Sequence, residues 1–318
     1  MSLTEFGAIE KYFAGLTPAG RGVMLGVGDD AALLAADAES HLVVSTDSLV
    51  SGVHFFPDAD PADIGYKALA VNLSDMAAMA AAPRWFTLAL TLAEAEMNHA
   101  WLDGFARGLG ELASKHAVSL VGGDLCKGPP AVTIQVIGEC PKGREIRRSG
   151  ANAGDLVYVS GQLGSAALAL AMLKSGRQPQ ADCYRRLLRP VPRVELGVSL
   201  RGIASAMIDV SDGLLADLGH LLEAGRAGAT INMASIPTET YLDDACETAQ
   251  KWRCVLSGGD DYELCFTVPP AKQRELKNIS QPVYRIGEIT SGQGIRCIRD
   301  DGSVHTPDDI GYMHFRAC

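Results

Sequence analysis

The chain has 318 residues, of which 47% are hydrophobic and 21% charged, and its 28 Lys and Arg against 38 Asp and Glu give a formal net charge of −10. The length exceeds what one hydrophobic core usually organises and predicts two folded domains, and the composition is that of a soluble globular protein rather than a disordered one. The acidic balance argues against a general nucleic-acid or membrane-surface binder, so an anionic ligand would have to be held locally, by a metal or a few placed cations.

The N-terminal MSLTEFGAIEKYF carries no basic n-region and no apolar h-region. Strand-like runs follow at 41–46, 84–92, 117–122 and 131–138, with helical runs at about 61–81 and 98–116 between them. In the second helix Trp101, Phe105, Leu109 and Leu112 recur at helical spacing and are expected in the core. The most apolar stretch, MAAMAAAP at 76–83, is far short of the ~20 residues that span a bilayer. A glycine-rich, charged junction, PKGREIRRSGANAGD at 141–155, separates a second half. We place the domains at 1–146 and 147–318. The second half shows strands at 155–160, 205–210, 262–268, 283–289 and 294–299, with helices at about 164–175, 193–203, 212–225 and 238–251. Strands and helices alternate without a strict βαβ rhythm, which predicts two mixed α/β domains. The eight cysteines are scattered, with no CxxC pair and no Cys/His grouping at zinc spacing, so the expectation is a reduced, cytoplasmic protein without structural zinc.

One event repeats along the chain: an apolar strand ends and aspartates follow at once. It occurs at VGDD (27–30), VVSTDS (43–48), LVGGD (120–124) and IDVSDG (208–213). Each could be a turn or a helix cap, because Asp, Ser and Gly serve both for backbone reasons. In IDVSDGLLADL, however, one carboxylate suffices for a cap, and Asp209 and Asp212 supply two. A further acid sits on a helix. Ile64, Ala68, Val71, Asp75 and Met79 share one face, with Asn72 a turn before Asp75. A carboxylate facing a core is costly unless paired or bound to metal. Clustered carboxylates with Ser and Thr hydroxyls form a hard oxygen set suited to Mg²⁺, and Mg²⁺ so held usually accompanies a polyphosphate. Neither a GxxxxGK[ST] loop nor a GxGxxG after a strand is present, and no HRD or DFG pair, so a P-loop enzyme and a protein kinase are not supported. Backbone amides of VGGD and Arg147 or Arg148 could hold phosphates instead.

VGDDAAL (27–33), STDSLVSGVHF (45–55), GYKALAVNLSDMAAMAAAP (65–83), VGGD (121–124), RRSGANAGD (147–155), DVSDGL (209–214), SGGDDYEL (257–264) and GYMHF (311–315) together resemble the thiamine-monophosphate kinase family. That family lies within the aminoimidazole ribonucleotide synthetase-like superfamily. The resemblance covers essentially the whole chain. It implies an N-terminal domain with a mixed sheet that pairs in a homodimer and binds ATP and metal, and a C-terminal α/β domain that completes the phosphate and substrate site. The implied reaction is ATP-dependent phosphorylation of thiamine monophosphate to thiamine diphosphate. Carried over motif by motif, Asp30, Ser45, Thr46, Asp47, Asp75, Asp124, Asp209 and Asp212 would bind several Mg²⁺ ions. Gly123, Asp124, Arg148 and Ser211 would contact ATP, with Arg148 and Asp212 serving catalysis. His54, Asp260 and Phe315 would contact the thiamine phosphate. Asp29 is read as an N-cap or turn carboxylate.

Three departures concern substrate geometry. Asp260 stands where the family usually has Glu, Ser51 where an acid often precedes GVHF, and Leu125 where Thr commonly follows GGD. Two alternatives stand beside the kinase reading. One is another ATP-using synthetase of the superfamily, above all a hydrogenase maturation factor acting through the terminal Cys318. The other is a non-catalytic nucleotide-binding protein.

Overall fold

The computed structural model describes residues 4–307 and 309–312. Two compact units divide the chain, one formed by residues 4–76 and 81–143, the other by residues 77–80 and those from 144 onward. Their junction at Gly143–Arg144 lies inside the glycine-rich segment 141–155.

The first unit opens with a short helix α1 (Glu5–Ala8), capped by the Thr4 hydroxyl, that runs into a π-helical turn at Ile9–Phe13. A small hairpin, β1 (Val23–Leu25) with β2 (Leu33–Leu34), brackets the VGDD segment. The main sheet is built from β3 (Ser40–Val50), β4 (Ala82–Leu92), β5 (Ser119–Lys127) and β6 (Ala131–Pro141), in the order β3-β6-β4-β5. Strand β3 runs antiparallel to β6 and β6 to β4, whereas β4 and β5 are parallel, as their helical crossover requires. Helix α2 (Pro61–Ala78) has Pro at its first position, and the Asp60 carboxylate accepts the Ala62 N–H at 2.9 Å. Helix α3 (His99–His116) is capped by Asn98 and stopped by left-handed Ala117. Phe105, Leu109 and Leu112 are fully buried as expected; Trp101 is only partly covered and stacks on Phe105 at 5.2 Å.

The second unit carries a seven-stranded sheet. Its strands are β7 (Leu156–Val159), β8 (Ala206–Val210), β9 (Gly228–Asn232), β10 (Glu263–Val268), β11 (Tyr284–Thr290), β12 (Gly294–Ile298) and β13 (Val304–His305), in the order β13-β12-β9-β11-β7-β10-β8. The helices are α4 (Ser165–Lys174), α5 (Ala181–Leu188), α6 (Val194–Ser199), α7 (Leu214–Gly225), α8 (Tyr241–Ala245) and α9 (Thr248–Ser257). Its core joins Val157, Ile208, Leu218, Leu221, Val255 and Ile286.

The structure corrects the expected elements in several places. Strands β1, β2, β9 and β13 and helices α1 and α5 were not anticipated. The helix expected at 193–203 ends at Ser199, and Gly202 turns the chain at φ +78°. The helix expected at 238–251 is two helices, broken where Cys246 becomes extended. No helix among the described residues is long and apolar enough to cross a membrane.

Candidate active site

In the first unit, period-two alternation sorts the candidate ligands of β3. Ser45 and Asp47 point toward α2: the Ser45 hydroxyl donates to the Asp75 carboxylate, and the Asp47 N–H donates to Asn72 Oδ1 at 3.1 Å. The acid and amide flagged on the apolar face of α2 therefore meet two residues of STDS. Thr46 points to the opposite, open face, where Gln135 Nε2 donates to its hydroxyl at 3.4 Å. Asp124 also belongs to that face by register, in the row Ser48–Thr133–Ala89–Asp124. With β3 and β5 at opposite edges of the sheet, Asp47 and Asp124 stand about 14 Å apart, three strand spacings, too far to share one ion.

Gly123, Asp124 and Val27 line a cavity of about 40 Å³ with Ile9 and Phe13, which brings VGGD against the start of VGDD. A Cβ on Gly123 would lie 1.9 Å from the Leu88 carbonyl oxygen, so no other residue fits there. Asp29 and Asp30 are exposed, and the Asp29 carboxylate accepts the Asp30 N–H at 2.9 Å, the turn role expected of it. His54 Nδ1 accepts the Val50 N–H at 3.0 Å, so the neutral ring carries its proton on Nε2.

In the second unit, β8 ends and α7 begins around DVSDG. Asp209 is buried on β8, while Ser211 and Asp212 are partly exposed. Neither Ser211 nor Asp212 caps α7, which corrects the simplest reading of that stretch. Asp217, in the first turn of the helix, instead holds the turn that precedes it: its Oδ2 accepts the N–H groups of Ser211, Asp212 and Gly213 at 3.0, 3.0 and 3.1 Å. Burial, and then the neighbouring Asp212 carboxylate, push the Asp217 pKa up to about 7 against the pull of those three bonds.

SGGDDYEL lies directly on this turn. The Asp260 N–H donates to the Ser211 carbonyl at 2.9 Å and the Tyr262 N–H to the Val210 carbonyl at 2.8 Å. A Cβ on Gly259 would come within 2.3 Å of the Ser211 oxygen, and one on Gly213 within 2.8 Å of the Ser257 carbonyl carbon. Asp260 and Tyr262 both adopt left-handed backbone, at φ +68° and +51°. The C-terminal segment joins the same place, because the Tyr312 N–H donates to the Asp212 carbonyl at 3.0 Å. Phe315 and Cys318 lie outside the described residues. Arg148 is exposed on a 3₁₀ turn (Arg148–Gly150) tied to β8 through the Met207 N–H and the Arg147 carbonyl.

Among the described residues no three His, Cys, Asp or Glu side chains come together as a metal-holding group. The donors that do meet are carboxylate and hydroxyl oxygens, in pairs. Mg²⁺ is commonly held that way, by one or two carboxylates with water and phosphate oxygens completing its shell, so the residues present fit it.

Residues 28–140 match the AIR synthase related protein N-terminal domain, and residues 152–300 match the corresponding C-terminal domain. Thiamine-monophosphate kinase of Escherichia coli (strain K12) is 44% identical over 324 residues, covering 99% of each chain. This chain belongs to the thiamine-monophosphate kinase family. Among solved structures, thiamine-monophosphate kinase from Stenotrophomonas maltophilia K279a superposes with a TM-score of 0.83 at 42% identity, over 90% of this chain and 93% of that one. AaThiL complexed with AMPPCP and TMP superposes with a TM-score of 0.79 at 29% identity, over 91% and 92%.

Against that thiamine-monophosphate kinase background, sequence reasoning overlooked three supports of the site. Asp217 is one. It interrupts the apolar face of Leu214, Leu218 and Leu221, the same signal that singles out Asp75. Tyr262 is another: its hydroxyl donates to Asp260 Oδ1 at 3.0 Å and orients the shorter acid. The third is an ion pair between half-buried Arg193 and buried Glu263, where SGGDDYEL enters β10. Arg193 Nε and Nη2 donate to the two Glu263 oxygens at 2.7 and 2.5 Å, and the Ser160 hydroxyl donates to the same carboxylate. Next to it, burial pushes the Asp261 carboxyl well above the usual range, although both its oxygens accept the Gly164 N–H. Local spacing carries no mark of this pair, since its members are 70 residues apart.

Proposed function

We propose that this chain transfers the terminal phosphoryl group of ATP directly to thiamine monophosphate, yielding thiamine diphosphate and ADP. The observation that carries the reading is the interlocking of DVSDG with SGGDDYEL in a chain of this family: the Asp260 and Tyr262 N–H groups donate to the Ser211 and Val210 carbonyls, so the two motifs meet at one place. Mg²⁺ is assigned to Asp30, Ser45, Thr46, Asp47, Asp75, Asp124, Asp209 and Asp212, as several ions shared with phosphate oxygens; Thr46 would reach one only from the open face of the sheet or through its carbonyl. Gly123, Asp124, Arg148 and Ser211 are assigned to ATP, and His54, Asp260 and Phe315 to the thiamine phosphate. On this assignment residues 1–146 bind ATP and metal and pair in the dimer, and residues 147–318 complete the site.

The attacking group is the substrate's own phosphate. Its second pKa is about 6, so it is largely the dianion at neutral pH and needs no general base. Bound Mg²⁺ supplies charge neutralisation along the triphosphate. The chain's part is positioning: Ser211 O–H donates to a phosphate oxygen, Arg148 offsets charge that develops in line, and Asp260, steadied by Tyr262, orients the acceptor. His54 presents Nε2–H as a donor, which suits substrate binding rather than proton abstraction.

A homodimer is supported by the open face of the first unit's sheet, where Leu42, Val44 and Val50 on edge strand β3 are 54%, 55% and 37% exposed. The maturation-factor reading rests on Cys318, outside the described residues, and no observation favours it. The non-catalytic reading would lead one to expect a gap in the metal positions, and all are filled.

Incubation with Mg-ATP and thiamine monophosphate tests the proposal. Equal amounts of ADP and thiamine diphosphate without free phosphate are expected. Substrate-dependent release of phosphate with no thiamine diphosphate would overturn it.

A further inference from the structure

We propose that Asp217 is a positioning residue for the phosphoryl transfer: by gathering three backbone N–H groups on one carboxylate oxygen, it fixes the direction in which Ser211 and Asp212 leave the turn. The inference rests on the reading of Asp209 and Asp212 as Mg²⁺ ligands.

Three residues, 211–213, join β8 to α7. A strand that runs through a short turn into a helix ordinarily offers its first amides to an anion, commonly a phosphate. Here the amides of the turn itself, 211–213, are taken by a carboxyl group from inside the fold. Asp217 is only 3% exposed, and its Oδ2 lies 3.0–3.1 Å from the nitrogens of Ser211, Asp212 and Gly213. The amides of the turn are thereby occupied internally, so Ser211 and Asp212 are left to meet a ligand through their side chains. The turn thus meets a cation through carboxylates, instead of meeting a phosphate through backbone.

The carbonyl side of the same turn is held independently. Ser211 O accepts the Asp260 N–H at 2.9 Å, and Asp212 O accepts the Tyr312 N–H at 3.0 Å. Gly213, at φ +125°, is pressed against the Ser257 backbone. The turn is thus held on its N–H side by Asp217 and on its carbonyl side by two other segments. The acid needed for this is an acceptor of fixed position, so an amide oxygen in its place should serve nearly as well.

Asp217→Asn and Asp217→Ala separate positioning from bulk stability. In the metal-free wild-type protein the amides of 211–213 should exchange slowly with deuterium, and they should stay slow in Asp217→Asn. In Asp217→Ala they should exchange fast, and the half-saturating Mg²⁺ concentration should rise by about 10–100-fold, as when groups that orient metal ligands are removed. A Mn²⁺ titration followed by electron paramagnetic resonance should show the same loss of affinity without turnover. The kcat of Asp217→Ala should fall by about 100-fold, while Asp217→Asn should stay within a few-fold of wild type. The inference fails if those amides exchange fast in the wild type. It also fails if folded Asp217→Ala keeps the wild-type Mg²⁺ dependence, or if Asp217→Asn loses Mn²⁺ affinity by more than about 10-fold relative to wild type. Should Asp217→Ala not fold, the wild-type exchange and the Asn variant decide alone. A wild-type protein that makes no thiamine diphosphate would instead count against the proposed reaction and leave the exchange result standing.

Discussion

Asp212 is the residue at which capping and metal binding part company. Because Asp217 already satisfies the amides of its turn, Asp212→Asn removes no cap. It removes one negative charge beside Asp217 and the proposed ligands, so thermal stability without metal should hold or rise. Turnover at saturating Mg²⁺ should drop by two or more orders of magnitude, each factor of ten needing only ~1.4 kcal/mol of lost transition-state stabilisation. Ser211→Ala removes a single hydrogen bond to a charged phosphate oxygen, worth about 1.5–3 kcal/mol, leaves the metal ligands in place and should be milder. Steady-state kinetics and melting curves on the two variants check both statements, and a normally active Asp212→Asn enzyme would return Asp212 to a structural role. At this scale the sequence was informative wherever an acid broke an apolar pattern, as at Asp75. It was uninformative about Thr46: the motif presents three adjacent residues as equals, and only strand alternation sends Thr46 to the other face from Ser45 and Asp47.

Elements matter here through two loops that cannot move apart. DVSDG and SGGDD share backbone hydrogen bonds, and Gly259 lets them approach so closely that a Cβ would overlap the Ser211 carbonyl at 2.3 Å. Gly259→Ala must therefore displace one loop, at a cost of about 1–3 kcal/mol in stability, and it should lower activity well beyond the effect on folding. Denaturant unfolding and kinetics on one preparation would show this; a Gly259→Ala enzyme with wild-type kinetics would contradict the locking. Arg193→Met tests the anchor behind the loop. It leaves the buried Glu263 carboxylate without its bidentate partner and should destabilise the protein by about 3–5 kcal/mol, read as a shift of the urea midpoint. Most strands were legible because short apolar runs ended in turn residues. Strand β9, GATIN, has too few apolar residues to stand out, and the break between α8 and α9 falls at Cys246-Glu247, where no Gly or Pro announces it. These are choices made by packing, beyond the reach of local pattern.

For the whole molecule, the order of motifs along the chain was readable and their spatial partnership was not. VGDD and VGGD are about ninety residues apart, yet line one cavity; DVSDG and SGGDD meet only because β8 and β10 pair. The remaining question at this scale is what covers the open face of the first sheet. Leu42 and Val44 project from it, with Thr46 and Ser48 continuing the row along the edge strand. An apolar face on an edge strand favours pairing with an identical face, since a twofold axis brings the same patch together from both copies. The wild-type protein should therefore elute with twice the 33.6 kDa chain mass when light scattering is measured in line. Leu42→Glu combined with Val44→Glu puts two like charges on each side of the pairing and should yield a monomer with an unchanged far-ultraviolet circular dichroism spectrum, because neither side chain contributes to the buried core. A wild-type monomer at micromolar concentration, or a double variant that remains a dimer, would show that this face is not where two copies meet.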